Sequence, residues 1–190
     1  MKEKEAIEEA VEQLKRGSTM LFPADTIWGI SADATNPEAV QKVIDLKGRT
    51  AEKSFIVLIN SDRMLYNCFR KIPEIVWELM DLADKPLTIV LQGGQFVAPN
   101  VLNQDGSLGV RMLKEGSSCY ELVKRFNKPI ISTSPNFTGQ PTPFTFEEID
   151  PKLKEAVDYV FPNQFAKGLQ KTASKIIAVG PEGEVKILRK

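Results

Sequence analysis

Ile131-Ser132-Thr133-Ser134-Pro135-Asn136-Phe137-Thr138-Gly139 is the stretch around which the chain is organised. An apolar, β-favouring lead-in (Pro129, Ile130, Ile131) turns abruptly into small hydroxyls, followed by an amide and a glycine. Hydroxyls, an amide and backbone N–H groups just past a strand end are suited to carboxylates or phosphates. By itself the stretch also reads as an ordinary Ser/Pro/Asn turn. A second stretch, Lys47-Gly48-Arg49, offers the matching positive charge.

Composition narrows the chemistry. The 190 residues suffice for one domain with a full core, and we expect a single domain over 1–190. Lysine plus arginine equals aspartate plus glutamate, 25 of each, so bulk attraction to nucleic acid or membrane has no support. No apolar run reaches membrane-spanning length, and the charged start Met1-Lys2-Glu3-Lys4-Glu5 lacks a signal-peptide core. These features predict a cytoplasmic protein. The sequence has no histidine, which excludes Ser-His-Asp triads, Cys-His dyads and histidine-ligated zinc. Cys68 and Cys119 form no CxxC pair and read as small buried hydrophobes. Catalysis, if present, rests on Lys, Arg, carboxylates, hydroxyls, backbone dipoles or a metal carried by the substrate. That inventory favours phosphoryl or nucleotidyl chemistry, in which positioning and charge neutralisation do most of the catalysis.

Periodicity supplies the elements. Residues 3–16 read as an amphipathic helix through Ile7, Ala10, Val11 and Leu14, ended by Gly17. A strand from Thr19 to Phe22 should end or bend at Pro23, leaving Asp25, Thr26 and Trp28 on a connecting loop. Asn36-Pro37 is a strong helix start and Gly48 a natural stop. Lys47 and Arg49 then flank a helix C-terminus, where cations also complement the dipole. Thr50 to Lys53 reads as a loop before a strand at Phe55 to Ile59. Helices follow at Asp62–Phe69 and Pro73–Leu82, the latter with a stripe of Ile75, Val76, Leu79 and Leu82. Strands follow at Leu87–Leu91 and Leu108–Met112. Arg111, inside the second, should snorkel, pair with a carboxylate, or project into a site. Ser117–Phe126 and Pro151–Ala156 read as helices, and Asp158–Phe161, Ser174–Val179 and Glu184–Leu188 as strands. Alternating helices and apolar strands predict an α/β fold with a mixed or largely parallel sheet.

Taken together, these stretches resemble the YrdC/TsaC family, the threonylcarbamoyl-AMP synthases that begin tRNA threonylcarbamoyladenosine (t6A) synthesis. The resemblance runs roughly from Gly17 to Arg189. It rests on Pro23-Ala24-Asp25-Thr26-Ile27-Trp28-Gly29-Ile30, Lys47-Gly48-Arg49, Pro86-Leu87-Thr88, the lone strand residue Arg111, Ser132–Gly139 and the terminal Ile187-Leu188-Arg189. Each motif is weak alone; their order and spacing are specific. Departures include Ala24 for threonine, Trp28 for tyrosine, Ser31 for glycine, Thr50 for proline, Ser54 within a Lys/Asn-Pro-Leu strand start, and Pro135 for alanine.

The resemblance implies a twisted, open, mixed α/β sheet flanked by helices with a central ligand groove, similar to DHBP synthase. It implies a functional tetrad of Lys47, Arg49, Ser134 and Asn136. Thr26, Arg111, Ser132 and Ser174 would line the L-threonine end. Arg49, Lys53, Thr88, Ser134, Thr142 and Arg189 would face ATP. The implied reaction joins L-threonine, bicarbonate and ATP into threonylcarbamoyl-AMP and pyrophosphate, with Mg2+ accompanying ATP and no tightly bound cofactor or protein metal site. tRNA would be reached indirectly, through the t6A transferase machinery. The alternative is a YciO-type paralogue that binds double-stranded RNA or a nucleotide in the same groove with little or no turnover. Zero net charge and few aromatics near the cations count against RNA.

Overall fold

The computed structural model describes residues 2–48, 55–170 and 172–190. Among the described residues, nine strands form one sheet in the order β7-β1-β2-β6-β3-β5-β4-β8-β9. The helix α1 (Glu3–Lys15) buries Ala6, Ile7, Ala10, Val11 and Leu14, the face that its spacing predicts. Gly17 follows at φ 73°, a left-handed conformation that glycine adopts without a Cβ penalty. β1 (Met20–Pro23) ends on Pro23, and the chain turns back antiparallel as β2 (Trp28–Asp33), with Pro23 opposite Trp28.

β2 corrects the expectation of a loop as far as Trp28. Its Trp-Gly-Ile-Ser-Ala-Asp sequence lacks strand-like alternation, yet all six residues are buried because neighbours flank the strand on both edges. The helix α2 (Pro37–Lys47) is capped by the Asn36 side chain, which accepts from the amides of Glu38 and Ala39. Gly48 closes it at φ 59°. The expected Thr50–Lys53 loop lies outside the described residues, as do Arg49 and Lys53 themselves.

β3 (Ile56–Ile59) leads into α3 (Asp62–Cys68) and α4 (Ile75–Leu82). The expected α4 stripe is corrected at one end. Val76 is fully buried, whereas Leu82 is 82% exposed, because the helix ends at Leu82 and the chain leaves the core there. β4 (Leu87–Leu91) and β5 (Leu108–Met112) have the expected bounds. α5 (Ser118–Phe126), N-capped by Ser117, packs on α1 and leads to β6 (Ile130–Thr133). α6 (Pro151–Ala156), β7 (Tyr159–Val160), β8 (Lys175–Val179) and β9 (Val185–Arg189) complete the chain.

The sheet is mixed rather than largely parallel. Among the described residues, only β1–β7, β3–β5 and β4–β8 run parallel. Register, more than helix packing, positions the polar groups. Arg111 stands between Leu58 on β3 and Thr88 on β4. Thr88 in turn lies opposite Ile176, and Ile176 opposite Arg189. Residues directly opposite share a face, so Arg111, Thr88, Ile176 and Arg189 form one row. Among the described residues, no helix is long and apolar enough to cross a membrane.

Candidate functional site

One cleft of about 540 Å3 opens over β3, β4, β5, β6, β8 and β9. Thr26, Thr88, Arg111, Ser132, Ser134, Thr142, Ser174 and Arg189 all line it. They come from the β1–β2 turn, five strands or their ends, and the loop after β6, and the fold brings all of them to one place. Gly109 lies on the floor, opposite Ile56 and Val90, where the missing side chain keeps the cleft open. Gly29 answers to a tighter requirement: a Cβ there would stand 2.4 Å from the Ser132 hydroxyl.

A buried ion pair borders the cleft. Arg111 is 3% exposed, and its Nη2 lies 2.9 Å from Asp25 Oδ1. The arginine thus follows two of the expected alternatives at once, pairing with a carboxylate while lining the cleft. The contact satisfies an ion-pair distance without hydrogen-bond geometry. Among the described residues, Asp25 Oδ1 and Arg111 Nε are both buried polar atoms lacking a hydrogen-bond partner. Burial pushes the Asp25 carboxyl above its ordinary range, outweighing the opposing pull of the Arg111 charge. An unpartnered buried guanidinium N–H is costly unless an acceptor arrives with a ligand.

Along the same row, Ser174 is tied into a polar chain. Arg189 Nε and Nη2 donate to the Ser174 carbonyl at 2.9 and 2.7 Å, and Nη2 reaches its hydroxyl at 3.1 Å. The Thr88 and Ser174 hydroxyls are 2.9 Å apart. The Arg189 pKa is lowered, first by burial and then by the positive charge of Arg111. Two guanidiniums repelling one another across a cleft favour an anionic occupant.

The loop after β6 is joined to the end of α2. Lys47, 3% exposed, donates from Nζ to the Ser134 carbonyl at 2.6 Å, with the Ser134 hydroxyl at 3.4 Å and Asn136 Oδ1 at 3.5 Å. The Thr138 hydroxyl returns a bond to the Lys47 carbonyl at 2.8 Å, and Asn136 Nδ2 donates to the Gln140 carbonyl at 2.7 Å. Lys47, Ser134 and Asn136 are therefore brought together; Arg49, the fourth member expected, lies outside the described residues, as does Lys53 on the ATP side. Lys47 ends a helix, as dipole complementation requires, but its ammonium turns into the loop.

Trp28 is 2% exposed and packs on Phe146 at 4.7 Å between ring centroids, a core contact that also forms part of the cleft wall. Sequence reasoning left Asp25 without a partner. The only signal for one was the strand arginine, which does not say which carboxylate it meets. Cys68 and Cys119 are buried, and burial pushes the Cys68 thiol up to about 11 and that of Cys119 higher still. Both are unsuited to thiolate chemistry.

A mixed open sheet whose central strands carry a cation-lined, hydroxyl-rich cleft defines an α/β domain suited to small anionic ligands. The Sua5/YciO/YrdC family model, described as "Telomere recombination", matches residues 12–190, and the chain belongs to this family. A relative from Vibrio campbellii named threonylcarbamoyl-AMP synthase is 30% identical over 150 residues, covering 77% of this chain and 80% of the relative. One of the same name from Stenotrophomonas maltophilia is 29% identical over 162 residues, covering 83% and 86%. The structure of P. abyssi Sua5 complexed with L-threonine matches with a TM-score of 0.87 at 24% identity. This chain is wholly covered by that match but spans only 54% of the Sua5 chain. E. coli YciO matches with a TM-score of 0.80 at 18% identity, covering 100% of this chain and 90% of that one. At these identities the structural matches carry the fold.

Proposed function

We propose that this chain is an L-threonylcarbamoyladenylate synthase, a nucleotidyltransferase that forms threonylcarbamoyl-AMP and pyrophosphate from L-threonine, bicarbonate and ATP, for t6A modification of tRNA. The observation that carries the reading is the single cleft shared by Thr26, Thr88, Arg111, Ser132, Ser134, Thr142, Ser174 and Arg189. Relatives of similar length that are named for this activity support it. We read residues 1–190 as one YrdC-like domain acting in the cytoplasm.

In this reading the threonine amine adds to CO2 with loss of a proton, or to bicarbonate with loss of water, to give a carbamate. A carbamate oxygen attacks the α-phosphorus of ATP, and pyrophosphate departs. No protein nucleophile is needed, so a chain without histidine is adequate. The difficulty is electrostatic, because an anionic carbamate must approach an anionic triphosphate. Arg111, with its unpartnered buried N–H, suits the amino-acid carboxylate; Thr26, Ser132 and Ser174 offer hydroxyls beside it. Thr88, Thr142 and Arg189, which share the cleft, are assigned to the nucleotide by motif, as are Arg49 and Lys53. Ser134 lines the cleft and Lys47 and Asn136 meet it from the adjoining loop, so we assign these three to the group being transferred, where one such donor is worth on the order of 3–4 kcal/mol of barrier.

Among the described residues, no three His, Cys, Asp or Glu side chains stand together as a metal-ligand set. Asp25, beside the cleft, is engaged by Arg111. In the proposed reaction a divalent ion would arrive on the triphosphate as part of the substrate, where it would neutralise phosphate charge.

The test is incorporation of labelled bicarbonate into a threonine- and ATP-dependent adenylate, read by mass spectrometry. Label in a species with the mass of threonylcarbamoyl-AMP is expected. Absence of that species, with salt-dependent binding of double-stranded RNA in the same cleft, would favour the paralogue reading.

A further inference from the structure

Asp25 is a buried charge to which the substrate assignment gives no role. It lies in the turn between β1 and β2 and is 9% exposed. Its main chain is fixed on two sides. The Ala24 amide donates to the Ile27 carbonyl, and the Gln170 amide to the Asp25 carbonyl, both at 3.1 Å. The segment carrying Gln170 is itself moored to the start of α5. The Ser118 hydroxyl donates to the Phe165 carbonyl at 2.9 Å, and the Lys167 amide to that hydroxyl at 3.1 Å.

The carboxylate meets Arg111 from outside the cleft. Asp25 lines a separate cavity of about 200 Å3, whereas Arg111 lines the cleft, so the pair stands in the wall between the two. Asp25 is therefore placed to act on Arg111 rather than on a substrate. One guanidinium nitrogen is set by the carboxylate at 2.9 Å, and Nε remains without an acceptor. A guanidinium is a planar fork, so drawing its Nη2 prong toward the carboxylate, by charge and without hydrogen-bond geometry, biases the direction in which its other N–H groups point.

We propose that Asp25 is a positioning residue: its carboxylate orients the Arg111 guanidinium so that the remaining N–H groups receive the carboxylate of the amino-acid substrate. This rests on the synthase reading for the identity of the amino acid. The rival is a purely structural role, in which Asp25 only neutralises a buried cation. A structural role predicts equal weakening of every ligand in the cleft. A positioning role predicts selective loss of carboxylate recognition.

The experiment is calorimetric titration of wild type, Asp25→Asn and Asp25→Glu with three probes: L-threonine, L-threoninol and a non-hydrolysable ATP analogue. L-threoninol keeps the amine and the side-chain hydroxyl but has no carboxylate. Asp25→Asn should raise the Kd for L-threonine about tenfold or more while leaving L-threoninol and the nucleotide within about twofold. Asp25→Glu should recover part of the lost affinity. Unchanged L-threonine binding in Asp25→Asn, or equal weakening of all three probes, would overturn the proposal. If Asp25→Asn does not fold, Arg111→Gln is compared with the double variant Asp25→Asn/Arg111→Gln, which buries no unpaired charge. Equal L-threonine affinity in the two is expected, and a further loss in the double variant would overturn it. Binding is read without turnover, so a wild type that binds L-threonine yet forms no adenylate would sink the synthase reading and leave this one standing.

Discussion

Two regions, the sheet face that lines the cleft and the loop beside it that meets the end of α2, hold their cations differently. On the sheet side, Arg111 is fixed by strand register between Leu58 and Thr88 and by the carboxylate of Asp25. On the loop side, Lys47 reaches from the end of α2 to the Ser134 carbonyl and, more distantly, to Asn136. The first arrangement belongs to the core, where moving the charge means breaking the sheet. The second joins a helix end to a loop stiffened by Pro135, where a side chain can exchange a carbonyl for a ligand oxygen. In the proposed reaction this contrast becomes a division of labour, the sheet side binding the amino acid and the loop side the group that is transferred.

Removing the sheet-side cation should give the largest effect, and it should fall on stability. Arg111→Ala strands the Asp25 carboxylate in a buried site and is expected to cost about 3–5 kcal/mol. In thermal unfolding that appears as a fall in Tm of roughly 10 °C. A shift of only a degree or two would mean that the ion pair does not hold the core. Next in size is Lys47→Ala, whose expected loss falls on turnover, about 100-fold to 1000-fold in kcat. Its stability loss should be about 1 kcal/mol, since Lys47 is buried and donates to Ser134. Equal losses of stability in the two variants would erase the distinction between the regions.

Gly29→Ala sharpens it further. Its Cβ would meet the Ser132 hydroxyl at 2.4 Å, so Ser132 or β2 must shift, at about 1–3 kcal/mol. KM for L-threonine should rise, with KM for ATP nearly unchanged in steady-state kinetics. The smallest effect belongs to Ser174→Ala, which removes the hydroxyl linking Thr88 to Arg189 but keeps the carbonyl that Arg189 grips. About 1 kcal/mol of stability and a several-fold rise in one KM are expected, read by chemical denaturation alongside kinetics.

The two regions also differed in how far the sequence revealed them. β4 was readable because Pro86, Gly93 and Gly94 mark the bounds of a short apolar run, and β5 because Leu108 to Met112 is an apolar run carrying one charge. The helix end at Lys47 was readable because Asn36, Pro37 and Gly48 are local signals of start and stop. β2 escaped because its burial comes from β1 on one edge and β6 on the other, not from its own alternation. The pairing of Asp25 with Arg111 escaped for the same reason: it depends on which strands become neighbours. Thr26, Ser132 and Ser174 were assigned from motif order, and their meeting in one cleft required the fold. Leu82 shows the converse, a helical stripe extended one residue too far.

The central claim is that one cleft couples an amino acid to a nucleotide. Its most direct test is pyrophosphate release from ATP by the purified chain, with and without L-threonine and bicarbonate. The account predicts release that requires both, and that falls with Lys47→Ala. Release independent of L-threonine, or none under any combination, would contradict it.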